Sequence, residues 1–514
     1  MSNEGKGPIS TMEKDEAELA KMGYKQELKC VLNYSQVSFS IISVITGIPS
    51  LFLYGLNTGG PSVMVYGWIV VSFFTLLVGM AMAGAAHPTS GGPYFWAAML
   101  SKPKDAPLTS WITGWFNLLG QVAVTTGISF ACASFISTLA TFRTGFVPTA
   151  NTQIGVYAAV LFSQGVSTFG VRVLHYLNNI SVWWHAIGTF SLVVAILAKA
   201  PTHQSGHFVF QTFIDGTGGW AERASPAYVA VTGILMAQVS LGAFVSNTLY
   251  SYLIQMTEET TNAAMSGSIG IIMAIGVSAV LGLYLLLGLL FSIQNLDDTI
   301  NTATGEPVAQ IFLDCVGEDG AIVLMIIVIG AMYFCGTFSV TSNSRMMYAF
   351  ARDGGLPGSK FFAYVNTRWK SPIRTVWLAC TLSFILGLPS LGSAVAFSAA
   401  TSIATIGLYI SYAIPIALRV IYHADFTRGP FHLGAFSFPV AITAVIWIAF
   451  ISIVFILPQE NVRLSNIPLT PVGYWLISAR RWFAGPVKQI AAEEMGINVM
   501  QPGSADSEKQ AEDL

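Results

Sequence analysis

The stretch Ser43-Val-Ile-Thr-Gly-Ile-Pro-Ser50 lies midway along the first long apolar run of the chain, Tyr34 to Leu56. Gly47 costs backbone entropy in a helix, and Pro49 removes an N–H and crowds the preceding turn, so both disfavour continuous helix there. Inside a bilayer, backbone freed by such a break must find partners in protein or in a water-lined cavity. A Gly/Pro break at mid-span therefore marks a candidate binding site of the discontinuous-helix kind. A plain proline kink in a packed helix is the alternative, and the rest of the chain has to decide.

The 514 residues are 53% hydrophobic and 10% charged. Soluble domains carry about 25% charged residues, and apolar runs near the ~20 residues of a spanning helix recur throughout. The fold class expected is an all-α polytopic membrane protein. Spans are predicted at 34–56, 62–85, 109–139, 151–170, 178–199, 228–255, 267–293, 321–344, 373–389, 393–420 and 437–457, with a short twelfth at 464–479. Twenty of the 24 Lys and Arg residues fall on the side of the N-terminus, the other four being Arg143, Lys199, Arg223 and Arg463. By the positive-inside rule that side is the cytoplasm. The N-terminal segment mixes five Lys with six acids before Asn33, unlike a transit peptide or a cleavable signal. The plasma membrane is the expected location, with an organellar membrane, mitochondrial included, as the alternative.

Composition also excludes function classes. A net charge of −2 with no basic patch gives no reason to expect a nucleic-acid partner. The five cysteines have no metal-like spacing, and neither a His-Glu-x-x-His motif nor a nucleophile elbow is present. No enzyme, catalytic residue, metal or cofactor is expected, and the partners are a small-molecule substrate and the bilayer.

No Asp, Glu, Lys or Arg lies mid-span. Charges there are costly and mark ion or substrate pathways, so a carboxylate relay is disfavoured. His185, in Trp183-Trp184-His185, is the one titratable exception, about two turns into the fifth span. It is either a proton-sensitive group or a neutral histidine bonded to a neighbouring helix. The sixth span repeats the anomaly of the first: Gln238-Val-Ser-Leu-Gly-Ala-Phe-Val-Ser-Asn-Thr248 has Gly242 in a polar middle. Five spans separate the two anomalies, which fits two five-helix inverted repeats, each opening with a broken helix. Broken halves aim N–H groups at an anion and carbonyls at a cation, and a zwitterionic amino acid needs both. The alternative is that polar residues in the sixth span merely join helices.

Pro88-Thr-Ser-Gly-Gly-Pro93 leads into Tyr94-Phe-Trp96, which suggests a short interfacial helix. Met256-Thr-Glu-Glu-Thr260 closes span six and Arg352-Asp-Gly-Gly-Leu-Pro357 closes span eight. Glu258, Glu259, Arg345, Arg352 and Asp353 are the cytoplasmic gate candidates, with ordinary interfacial charges as the alternative. Span eight is rich in hydroxyls, among them Thr337 and Ser339, which suits a wet or closely packed face.

These stretches, with Thr113-Gly-Trp-Phe-Asn117, Val340-Thr-Ser-Asn-Ser-Arg-Met346, Phe350-Ala-Arg-Asp-Gly354 and Ser402-Ile-Ala-Thr-Ile-Gly-Leu-Tyr409, carry a resemblance. The chain resembles the amino acid/choline permease family of the amino acid–polyamine–organocation superfamily, especially plant-type bidirectional amino-acid and γ-aminobutyrate permeases. The resemblance implies a 5+5 inverted-repeat (LeuT-like) fold of about 12 helices, the last one shortened, that works by alternating access. It implies tails at 1–33 and 483–514, repeats at 34–200 and 228–422, an external loop at 201–227 and trailing helices at 423–482. The substrate carboxylate is expected at Thr46, Gly47 and Ile48, and the ammonium at Gly242 and Ala243 with Phe244 as a lid. His185, Thr337 and Ser339 are the ion-coupling candidates, with the proton as first candidate ion.

Three departures stand out. Relatives carry a Gly-aromatic-Asp-Ala-Ser-Ala-His string before Met-Thr-Glu-Glu-Thr, and this chain does not. They end span two with Ala-Glu, where this chain has Ala83-Gly84. The last span, Leu464 to Ala479, gives only ~24 Å of helix and contains Pro468 and Pro471. The expected function is transport of amino acids, γ-aminobutyrate included. Choline or polyamine transport is one alternative; a non-transporting sensor or defective paralogue, motivated by the departures, is another.

Overall fold

The computed structural model describes residues 44–84, 91–242, 263–391, 394–422 and 433–457. Among them the regular elements are helices, joined by two isolated β-bridges. The first part of the chain gives α1 (Val44–Asn57), α2 (Gly60–Ala83), the short α3 (Pro93–Leu100), α4 (Ala106–Thr141), α5 (Ala150–Ser167) and α6 (Val171–Lys199). Then follow α7 (Pro226–Gly242), α8 (Ala263–Ser292), α9 (Pro307–Arg352), α10 (Ile373–Gly387), α11 (Ala394–Ile421) and α12 (Ser437–Ile456). Eight helices among the described residues are long and apolar enough to cross a membrane. The protein is an all-α polytopic membrane protein. The predicted span 464–479 lies outside the described residues.

Two helices correct the reading from sequence. The expected break at Gly47 and Pro49 is not there, because both sit inside the helical turns of α1. Pro49 deprives only the Ile45 carbonyl of its intrahelical donor, and one turn on the Ser50 hydroxyl donates to the Thr46 carbonyl at 2.7 Å. In α7 the chain turns at Ile234 and then widens into a π-helical turn over 239–242, where the second break was expected. Such wide turns inside helices recur at functional sites.

The 46 residues of α9 would measure ~69 Å as one rod, over twice the hydrocarbon thickness. Gly317, at φ 72°, ψ 178°, redirects the chain, so residues before it form an outer helix and those after it the span. That backbone conformation is open to glycine alone.

Two helices organise the packing. α2 contacts α1, α7 and α8, while α4 is surrounded by α5, α9, α10 and α11, and α1 also packs against α9. Membrane helices associate through close packing and interhelical hydrogen bonds, and α4 uses both. A methyl at Gly407 would lie 3.1 Å from the Phe116 carbonyl oxygen and 3.2 Å from the Gly120 Cα, so α11 and α4 meet backbone to backbone. On the other flank the Thr125 hydroxyl meets Ser339 Oγ at 2.8 Å, and Ser129 donates to the Gln164 amide oxygen at 2.7 Å. Thr126 and Tyr157 both donate to the Ser383 carbonyl.

At the opposite end of α4, Ser134 donates to the half-buried Glu306 carboxylate at 2.9 Å, just ahead of α9. Burial pushes this carboxyl from 4.5 up to about 8, the Ser134 bond opposing. An acid raised in the folded state makes stability fall as pH rises from its unfolded to its folded value. Glu306→Gln is expected to flatten that decline between about pH 4.5 and 8, read as thermal midpoint against pH. Gly407→Leu, which forces α11 off α4, is expected to destabilise the protein by about 1–3 kcal/mol, measured by thermal unfolding in detergent.

Candidate functional site

The two anomalous helices meet. A methyl at Gly47 would lie 2.8 Å from the Ser240 Cα, so α1 and the wide turn of α7 touch backbone to backbone. Thr46, Gly47 and Ile48 are all buried at this contact. One turn away, a side chain at Gly242 would strike the Gln238 amide nitrogen and stand 3.1 Å from the Tyr409 hydroxyl. Tyr409, from α11, faces the Thr75 hydroxyl of α2 at 3.5 Å. Four helices thus bring Thr46, Thr75, Gln238, Ser240 and Tyr409 together, each buried. Among the described residues, neither atom of the Gln238 amide nor Ser240 Oγ has a hydrogen-bond partner. The Tyr409 phenol stands beside that amide without closing a bond of normal geometry.

Unmet polar side chains thus stand beside two closely packed main chains. Among the described residues no cluster of His, Cys, Asp or Glu could bind a metal. Ala243 and Phe244 lie outside the described residues, as do Glu258 and Glu259.

The other candidates fall in two places. His185 is buried on α6, its Nδ1 2.8 Å from the Ser181 carbonyl, and its Nε2 turns toward the Ala331 backbone of α9 short of hydrogen-bond geometry. Thr337 donates to the Tyr333 carbonyl at 2.9 Å and Ser339 bonds Thr125, so the three ion-coupling candidates have separate partners. At the C-terminal end of α9, Asp353 accepts a hydrogen bond from Tyr94 at 2.8 Å and lies 3.9 Å from the Arg352 Nε. The Arg345 guanidinium, buried two turns earlier, donates to the neighbouring Ser344 hydroxyl at 3.3 Å.

The missing carboxylate at the end of α2 has a counterpart. The Arg419 guanidinium of α11 occupies the space beside Gly84, donates to the Ala81 carbonyl at 3.3 Å and to Ser437. Ser268 of α8 donates to the Ala83 carbonyl at 3.0 Å. A cation at a helix C-terminus satisfies carbonyls and complements the dipole.

A family model described as amino acid permease matches residues 32–477. The chain belongs to the amino acid permease family. The permease is 39% identical to the amino-acid permease BAT1 of Arabidopsis thaliana, over 94% of its own length and 98% of the relative's. It is 41% identical to the amino-acid permease BAT1 homolog of Oryza sativa subsp. japonica, over 92% and 96%. A GABA-specific permease of Saccharomyces cerevisiae is 30% identical, over 93% and 86%. Amino-acid transport across a membrane is the function of this family, and the permease is a transporter, not an enzyme.

Reading by sequence alone missed Thr75 and Tyr409 as site residues and passed over Gln238 and Ser240. The latter two stood inside the polar stretch of span six, which was the available signal; Thr75, one of several scattered hydroxyls in an apolar span, offered none. Gly47→Leu drives a side chain into the Ser240 backbone. It is expected to abolish uptake by the permease while membrane insertion is retained, checked by proteoliposome uptake alongside the yield of monodisperse protein.

Proposed function

We propose that the permease is a secondary carrier of zwitterionic amino acids that works by alternating access. The observation that carries this reading is the backbone contact of Gly47 with Ser240 in a buried, polar and uncharged setting. Backbone N–H and carbonyl groups at such a junction can serve a carboxylate and an ammonium without buried ionised side chains. The bodies proposed for rocking are α1, α2, α7 and α8 on one side and the cluster around α4 on the other, with α1 and α9 in contact between them. Arg352, Asp353 and Tyr94 would close the cytoplasmic end.

The yeast relative is named for γ-aminobutyrate. That molecule is also a zwitterion, so it belongs in the substrate range to be tested. The proton is the proposed coupling ion, with His185 as its acceptor, since its imidazole sets one nitrogen toward each of two helices. The positive-inside count supports a cytoplasmic N-terminus, and the plasma membrane is the proposed location.

Counterflow in proteoliposomes loaded in turn with neutral, acidic and basic amino acids, γ-aminobutyrate, choline and putrescine tests the reading without assuming a coupling ion. Exchange of amino acids but not choline is the expected result; choline alone would overturn the substrate, and no exchange from folded protein would favour a sensor. His185→Ala is expected to change the pH dependence of uptake, and an identical profile would make the histidine structural.

A further inference from the structure

Gln238 has a feature that backbone recognition of a zwitterion does not use. Its side chain is fully buried, and among the described residues both its amide oxygen and its amide nitrogen lack hydrogen-bond partners. The neighbouring Ser240 hydroxyl is in the same condition. Buried polar atoms are nearly always bonded, and an unmet amide destabilises the empty protein. Other buried polar atoms are also unmet among the described residues, those of Asn117 included, but the Gln238 amide and the Ser240 hydroxyl stand together at the junction of Gly47, Gly242 and Tyr409.

The electrostatics narrow what could satisfy them. α1, α2 and α7 contain no Asp, Glu, Lys or Arg, and in α11 the one charged residue is Arg419, ten positions or ~15 Å beyond Tyr409. A charged side chain on a ligand would find no countercharge from these helices. The amide itself is a donor at nitrogen and an acceptor at oxygen. A carboxylate only accepts and an ammonium only donates, so either would leave one end of the amide unmet. A hydroxyl or a carboxamide both donates and accepts, and meets both ends.

We propose that Gln238, together with Ser240 and Tyr409, determines specificity by binding an uncharged polar side chain, hydroxyl or carboxamide, of the amino-acid substrate. This rests on the carrier reading above. The α-ammonium and α-carboxylate then go to the backbone, and the side chain of the substrate goes to Gln238. A site built on hydrogen bonds rejects an analogue that fills the same volume but lacks the polar group.

The test is counterflow by the full-length protein in proteoliposomes with matched pairs: threonine against valine, and glutamine against methionine. Wild-type protein is expected to prefer the polar member of each pair by about tenfold or more. Gln238→Met keeps the length and removes both polar atoms, and is expected to bring both ratios to about one. Its thermal midpoint is expected at or above that of wild type, because an unpaired buried amide is removed. An amide bonded within the protein predicts the opposite: a lowered midpoint and unchanged ratios, which would overturn the proposal. Equal transport of both members by wild type would also overturn it, while leaving the carrier reading intact. Absence of exchange for every amino acid would instead remove the carrier reading, and the proposal with it. Tyr409→Phe removes one hydroxyl with little change of shape and serves if the first variant fails to fold. It is expected to lower the threonine-to-valine ratio by about threefold or more, and an unchanged ratio would overturn the proposal.

Discussion

Hydrocarbon offers a polypeptide no hydrogen-bond partners, so every helix must close its own ladder and can approach another only as nearly as the side chains between them permit. Two contacts in this protein reach the limit of that approach. Gly407 meets Gly120 where α11 crosses α4, and Gly47 meets Ser240 where α1 crosses α7. The first lies in an ordinary helix seam. The second coincides with a widened turn, so backbone groups that a regular helix would hide are brought beside a second main chain. The candidate site exists because these two conditions fall together.

The polar side chains sort in the same way. Around α4 several hydroxyls are satisfied locally or across a seam: Thr125 reaches both the Gln121 carbonyl and Ser339, while Ser383 serves Thr126 and Tyr157 through its carbonyl. These bonds hold spans together without charge and leave little for a solute to take up. Around Gly242 the pattern reverses, with an amide and a hydroxyl enclosed and unmatched. The α4 seam is not fully matched either, since the Asn117 amide is unmet there among the described residues; what distinguishes the candidate site is that its unmet groups stand at the crossing of α1 and α7.

Most helices were legible from apolar runs, because about twenty consecutive apolar residues are a sufficient signal. The first portion of α9 was not: Gln310 and Asp314 are polar enough to read as loop, and the helix there lies outside the span. Gly47 was legible as special but for the wrong reason. Beside Pro49 it reads as a breaker, whereas its lack of a side chain serves an approach by Ser240, a residue far away in the chain. Such pairing leaves no local trace. The assembly of Thr75 and Tyr409 with Gln238 is hidden for the same reason, since each is an unremarkable polar residue in its own span and only the crossing of three helices joins them.

Gly84 and Arg419 show how far two positions can become one character. The guanidinium fills the space next to the glycine and caps the carbonyl end of α2. A glutamate placed at 84 would meet the Arg419 guanidinium and draw it away from its bonds to Ala81 and Ser437. Loss of the arginine alone would uncap the helix. The effect of a change at one position therefore depends on the residue at the other, which is epistasis between residues in contact. The glycine and the arginine are best understood as one feature of the α2 end, and a change at either is felt at the other.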